Sequence, residues 1–240
     1  MPFHNHPSAA ARTILLTALA GFISIPLLHA GAAKQDQPEE RVFYQTPSIR
    51  VRRTVYPPGR HLPMHEHKGR VVVFLSNGTV RTTTEGAQPS DLQFHRGMVY
   101  WSDPVRHTLD NVGGTPLDAL EVEFLEPYPS AAQRYTRDAA AQDPAHFKVE
   151  LENERVRVLR FTLGPHGSSP MHDHRDAIFV RLTPAHLQVT LPNGSKKEVR
   201  ATVNDMGFQA SARQAIQNVS DQPYAEILIE FKPSSKASNQ

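Results

Sequence analysis

The 240-residue chain contains no cysteine. That excludes disulfides, thiolate metal sites, a cysteine nucleophile and a lipid-bearing N-terminal cysteine. Charge of one sign is also scarce. Against 26 basic residues stand 24 acidic ones, leaving a formal net charge of +2 and no long basic run. A nucleic-acid footprint is therefore not indicated, although the sequence pI is about 8.9. Charged residues make up 21% and hydrophobic residues 39% of the chain, a balance that suits a folded protein rather than a disordered one.

A long uninterrupted apolar span is missing too. The apolar stretch over residues 13–28 follows Arg12, is broken by Pro26, and ends in Ala30-Gly31-Ala32-Ala33 before charge resumes at Lys34. A basic start, an apolar centre and a small-residue end describe a secretory signal peptide over residues 1–32, cleaved after Ala32. The alternative is an uncleaved anchor, which the short run and Pro26 oppose. The expected mature protein is periplasmic or secreted, with no stable membrane anchor after cleavage. It starts with a polar linker over residues 33–40.

From Arg41 onward, short apolar-alternating runs separated by turn residues give an all-β signature. Predicted strands include Ile49–Tyr56, Arg70–Leu75, Thr79–Thr84, Arg106–Asn111 and Leu117–Phe124. Asn77-Gly78 and Asn193-Gly194 each have the composition of a tight hairpin turn. Residues 127–145 break the pattern with Pro127, Pro129 and alanine clusters, which reads as a short linker of helical composition. A single shift of 107 residues aligns the two β-rich parts, from Val42 on Val149 to Phe124 on Phe231. The prediction is two tandem copies of one fold, at residues 41–126 and 146–233, with a frayed tail at 234–240.

The most informative repeated stretch is Pro63-Met64-His65-Glu66-His67, which returns as Pro170-Met171-His172-Asp173-His174. On a strand, alternate side chains share a face, so His65 and His67 point together while Glu66 points away. Further on in the first copy stand Arg106-His107 and Asn111. A barrel that brings His107 beside His65 and His67 makes a three-imidazole set. Such a set binds one divalent transition metal (Fe, Mn, Zn, Ni or Cu) and leaves coordination positions open. In the second copy His172 and His174 persist, but Gln214 stands where the third histidine would be, and that degraded set would hold a metal only weakly. Arg106 and Arg213 neighbour inward-facing positions and are expected outward in surface or interdomain salt bridges, the alternative being a substrate carboxylate clamp. Glu66 and Asp173 are likewise expected outward and solvated, and His61 and His95 are read as ordinary surface histidines; His166 could complete the second site but aligns with Gly59 and is not counted as a ligand. Trp101, Tyr100 and Phe94 are read as core or as apolar walls of the site.

These motifs resemble the cupins, and specifically the two-domain bicupins. Their first motif places a glycine ahead of His-x-His, then a Glu, then a glycine, and Gly59, His65, His67 and Gly78 match it. Val71, with Val72 beside it, occupies the acidic position, and in the second copy Ile178 or Phe179 does. The close of the second motif, His-x-x-x-Asn, is matched by His107 and Asn111, while its opening at Gly97, Ser102 and Pro104 is looser. The resemblance implies two cupin double-stranded β-helix (jelly-roll) barrels. It also implies a His-only metal site, similar in ligand set to the thiol dioxygenases, and a small-molecule ligand or substrate. Bicupins often assemble further, so a homo-oligomer is compatible with it. Two functional readings follow: a metal-dependent, dioxygenase-like enzyme, or a non-catalytic metal- or ligand-binding cupin.

Overall fold

The computed structural model describes residues 39–129 and 135–233. The expected signal peptide and C-terminal tail lie outside the described residues. The first half contains β1 (Glu39–Gln45), β2 (Ile49–Tyr56), β3 (His61–His67), β4 (Arg70–Phe74), β5 (Gly78–Thr84), β6 (Ser90–Phe94), β7 (Val99–Ser102), β8 (Val105–Asn111) and β9 (Leu117–Phe124). After a single helical turn, α1 (Ala139–Gln142), the second half repeats the series. It runs β10 (Phe147–Glu152), β11 (Val156–Leu163), β12 (Ser168–His174), β13 (Ala177–Arg181), β14 (Ala185–Thr190), β15 (Lys196–Ala201), β16 (Met206–Gln209), β17 (Ala212–Asn218) and β18 (Tyr224–Phe231).

Each half pairs a five-stranded sheet with a four-stranded one. The orders are β1-β2-β9-β4-β7 with β3-β8-β5-β6, and β10-β11-β18-β13-β16 with β12-β17-β14-β15. All paired strands are antiparallel. Jelly-roll barrels are the result, and an all-β fold is what the alternating runs demand.

The two faces of the five-stranded sheets explain how the halves meet. One face of the first sheet carries Ile49, Val51, Val71, Val73, Leu120 and Val122. These pack in one buried cluster with Val156, Val158, Ile178, Val180, Ile227 and Ile229 of the second. β-branched side chains suit such a pleated interface, and each fully buried one contributes roughly 1.5–3 kcal/mol. Polar bonds rim it: Arg160 Nη2 donates to the Gly97 carbonyl at 2.6 Å, and Arg96 Nη2 donates to Asn204 Oδ1 at 2.6 Å. The opposite faces line the two barrel interiors. Because the apolar face is taken by the partner half, the first barrel's interior is free to be polar.

Two local expectations are corrected. Asn77-Gly78 is not a hairpin turn, because β4 pairs with β9 and β7 while β5 pairs with β6 and β8. Gly78 is needed instead for close approach, since a Cβ there would lie 2.7 Å from the Phe94 ring. The second copy's Asn193-Gly194 does join the paired strands β14 and β15, with Gly194 at φ 82°. The alanine-rich linker gives only one helical turn, capped by the Asp138 side chain accepting from the Ala141 amide at 3.1 Å.

Candidate metal centre

β3 and β8 lie side by side, with His65 directly opposite His107. The register slips between Leu62 and His65, around Pro63, which has no N–H to give to the ladder. The same slip occurs between Ser169 and His172, around Pro170. After each slip both histidines of the motif face inward. The proline carbonyl then serves a second purpose, since Pro63 O accepts from His65 Nδ1 at 2.7 Å. That bond puts the proton on Nδ1 and leaves Nε2 bare, the tautomer a metal ligand requires.

The three predicted ligands come together. The ring centroids are 4.7 Å apart for His65 and His67, 4.8 Å for His65 and His107, and 5.3 Å for His67 and His107. Their ligand nitrogens all lie within 4.8 Å of one another, and among the described residues no other trio of His, Asp or Glu has this arrangement. His107 is 6% exposed, and its Nε2 is buried without a hydrogen-bond partner. Burial, and after it the neighbouring Arg70 charge, lowers the His107 imidazole to about 4. Burial also lowers His67. Two of the imidazoles are thus held neutral near pH 7, the form that binds metal. An orphaned buried ring nitrogen facing two other rings fits a metal ion.

The motif search does not reach Glu123, Glu121, Arg52 and Arg70, which surround the trio. Glu123 is 3% exposed, and its Oε1 lies 3.1 Å from His67 Nδ1. Glu230 stands at the repeat-equivalent place, 3.3 Å from His174 Nδ1. Arg52 Nη2 donates to Glu121 Oε2 at 2.8 Å, and Glu121 Oε1 accepts from Thr54 at 3.2 Å. Burial opposes the charge on Glu121, but the Arg70 and Arg52 guanidinia overcome it and hold the carboxyl down at about 2. Glu121 is therefore a fixed anion and not a general base. The period-two alternation of Leu117, Ala119, Glu121 and Glu123 along β9 is the signal that could have placed both carboxylates inside.

The second centre is different in kind. His172, His174 and Gln214 do converge, with His172 opposite Gln214, but the two rings touch directly, Nε2 to Nε2, at 2.9 Å. Both Nδ1 atoms are already engaged, at Pro170 O and Glu230. The ring of Phe147 lies 4.8 Å from His172 and 5.6 Å from His174. Ala139 of α1 is fully buried in the same apolar cluster. Gln214 Oε1 is buried without a partner.

The remaining predicted residues fall into place individually. Arg106 is outward, 2.6 Å from Glu85 and 3.7 Å from Glu66. Arg213 Nε donates to Asp173 at 2.6 Å. Asp173 is not solvated as expected. It is 2% exposed because the chain at Thr136 and Arg137 folds over it, both amides donating to its Oδ2 at 3.0 Å. His61 is exposed and pairs with Asp110, His166 is exposed and pairs with Asp221, and His95 is exposed. Asn111 is structural, its side-chain amide donating to the carbonyls of Tyr56 and Thr115. Phe94 is core, stacked on Phe74, and Trp101 packs beside Phe124 near the join of the halves. Tyr100 is 44% exposed.

No family model matches the chain, and no curated protein matches it. Solved structures do. A crystal structure of AerE from Microcystis aeruginosa has a TM-score of 0.56 at 15% identity, covering 82% of this chain and 99% of that one. A cupin 2 conserved barrel domain protein from Leptotrichia buccalis has a TM-score of 0.55 at 10% identity, covering 83% and 91%. The fold is that of a two-domain cupin. A Bacillus subtilis oxalate decarboxylase shares it, with a TM-score of 0.54 at 11% identity over 79% of this chain and 70% of that one. Set in the cupin fold, the departures of this chain are specific. Of the two residues at its first-motif acidic position, Val71 is fully buried and faces the other half, while Val72 is buried in the first barrel's own apolar cluster.

Proposed function

We propose that the first barrel holds one divalent transition metal on His65, His67 and His107, and that the protein is a metal-dependent, dioxygenase-like enzyme acting on a small molecule. Its place of action is outside the cytoplasm, after removal of residues 1–32. The observation that carries this reading is the buried, unpartnered Nε2 of His107 facing two other imidazoles. A bound first-row metal would supply Lewis acidity and, if redox-active, the electrons that oxygen chemistry needs. The chain's own residues do the rest. Pro63 O and Glu123 fix the ring orientation of two ligands. Three protein ligands leave positions open, as catalytic centres do. The buried β2, β4 and β9 side chains around the trio exclude bulk water, which strengthens every charge interaction inside.

One contact favours a non-catalytic ligand-binding cupin instead. Arg52 Nη2 lies 2.8 Å from His67 Nδ1. If Nδ1 accepts from Arg52, which can only donate, instead of donating to Glu123, the proton sits on Nε2 and the third ligand is lost. Protein purified from its exported compartment separates the readings. Redox-active metal with oxygen uptake in the presence of a small-molecule substrate supports the enzyme. A redox-inert metal, or none, with no uptake across a broad substrate panel supports the binding protein.

A further inference from the structure

The mouths of the two barrels serve as controls for each other. The shift of 107 residues places Glu40 of β1 on Phe147 of β10. The registers agree, since Glu40 faces Thr54 and Phe147 faces Phe161, the repeat equivalent of Thr54. Residues directly opposite each other on paired strands share a face. Thr54 is fully buried and donates to Glu121 Oε1 inside the first barrel, so Glu40 lies on the inward face too. In the second barrel the buried Phe147 fills this place, stacked on Phe161 at 4.3 Å and lying 4.8 Å from the His172 ring. The same fold therefore closes here with an apolar ring beside its histidines. The first barrel puts an exposed carboxylate there instead. Packing does not account for that choice.

The other carboxylates near the histidines are tied to arginines. Glu121 is held by Arg52 and Arg70, Glu123 by Arg50 and Arg52, and Glu66 turns outward to Arg106. Glu40 instead accepts from a neutral donor, the hydroxyl of Tyr56. Tyr56 is buried in the first barrel's apolar cluster. Burial, and after it the bond to Glu40, raises the phenol well above its ordinary value, so it remains a donor. The charge of Glu40 also bears on Arg52, whose Nη2 lies 2.8 Å from His67 Nδ1. Glu40 is thus open to solvent while its carboxylate is turned to the lining of the three-histidine centre. A carboxylate that meets both water and the interior can carry a proton between them.

We infer that Glu40 is the proton-exchanging carboxylate of the first barrel, the catalytic base of the proposed centre. A hydroxyl or other acidic X–H of the bound molecule gives its proton to a Glu40 oxygen, the electron pair stays on X, and the proton passes on to water at the mouth. The inference rests on the proposed centre, and its test keeps the two apart. Metal-free protein is loaded with cobalt(II), and its visible spectrum is followed against pH. The midpoint reads the loss of a proton from solvent at the open coordination positions. A carboxylate that accepts a hydrogen bond from that solvent favours its protonated form. Glu40→Gln is therefore expected to lower the midpoint by about one pH unit, the size of one charged hydrogen bond. Glu39→Gln removes the same charge one residue away, opposite Val55 on the other face of the strand, and is expected to leave the midpoint in place. Cobalt affinity is expected to match the wild type in both variants, because Glu40 is not a ligand. A wild-type spectrum that does not change with pH, or an unchanged midpoint in Glu40→Gln, overturns the inference and leaves the metal centre standing. Equal shifts in Glu40→Gln and Glu39→Gln overturn it too, since net charge alone then explains them. Loss of cobalt from Glu40→Gln overturns it by making Glu40 a ligand. Wild-type protein that takes up no cobalt sinks the centre and the inference with it.

Discussion

Replacing Glu123 by Gln, with Glu230→Gln as its internal control, separates a metal centre from a merely well-packed fold. The two carboxylates occupy equivalent places and have equivalent surroundings. Glu123 lies 3.1 Å from His67 Nδ1, 3.4 Å from Arg50 and 3.8 Å from Arg52. Glu230 lies 3.3 Å from His174 Nδ1 and 3.1 Å from Arg157. In each variant the neighbouring arginine keeps another carboxylate, Glu121 for Arg52 and Asp138 for Arg157. Both variants should therefore fold, losing roughly 1–3 kcal/mol for a weakened charged hydrogen bond. Metal affinity should respond differently. Removing the anion that orients a ligating histidine costs roughly 10- to 100-fold in metal affinity, about 1.4–2.7 kcal/mol. Only Glu123→Gln acts on the first centre. Competition against a chelator of known affinity reads that loss directly, and denaturant unfolding reads the stability term. Equal affinity in Glu123→Gln and wild type, or an equal loss in Glu230→Gln, would refute the assignment of Glu123 as the residue that orients His67.

Three further outcomes are expected. Metal-free protein should lose stability as pH falls from about 6.5 to about 4. His107 and His172 are each lowered to about 4 by burial, so over that window the unfolded chain takes up protons first. Stability from each group is complete above the unfolded value and is lost toward the folded one, at most roughly 3 kcal/mol per histidine. Urea midpoints that do not move between pH 7 and pH 5 would contradict this. Phe147→Ala should cost about 3–5 kcal/mol by opening a cavity against Phe161, His172 and His174. Glu40→Ala, at the equivalent place in the first half, removes only a hydrogen bond from Tyr56 and should cost about 1 kcal/mol. Thermal melts compare the two. Val122→Asp places a charge in the cluster shared by both halves and should unfold the protein as a unit, since unpaired core charges exceed about 4 kcal/mol. A soluble variant with a single melting transition near that of the wild type would count against the shared core.

Much of this was legible in the chain because Pro63–His67 and Pro170–His174 report the register slip, the inward rings and the fold together. Strands were harder where apolar alternation is weak. Ser90–Phe94 and Ala212–Asn218 form strands although their composition is mostly polar, because neighbouring strands complete their ladders. The misread hairpin at Asn77-Gly78 has a topological cause: sequence neighbours β4 and β5 lie in different sheets. The ionic lining was missed for a physical reason. In Ile49–Tyr56 the polar side chains at Arg52 and Thr54 would ordinarily face water, with Val51 facing the core of its own barrel. Here Val51 faces the other half, and the polar face is the barrel interior. Burial of Asp173 was hidden similarly, since it depends on the chain at Thr136 and Arg137, which no pattern in the repeat foretells.

The central claim is that one metal ion resides on His65, His67 and His107 and none on His172, His174 and Gln214. Elemental analysis of the purified protein, alongside His107→Ala and His172→Ala prepared identically, tests it most directly. The account predicts one equivalent of a first-row transition metal per chain in the wild type and in His172→Ala, and close to none in His107→Ala. Stoichiometric metal retained in His107→Ala, or lost in a folded His172→Ala, would contradict it.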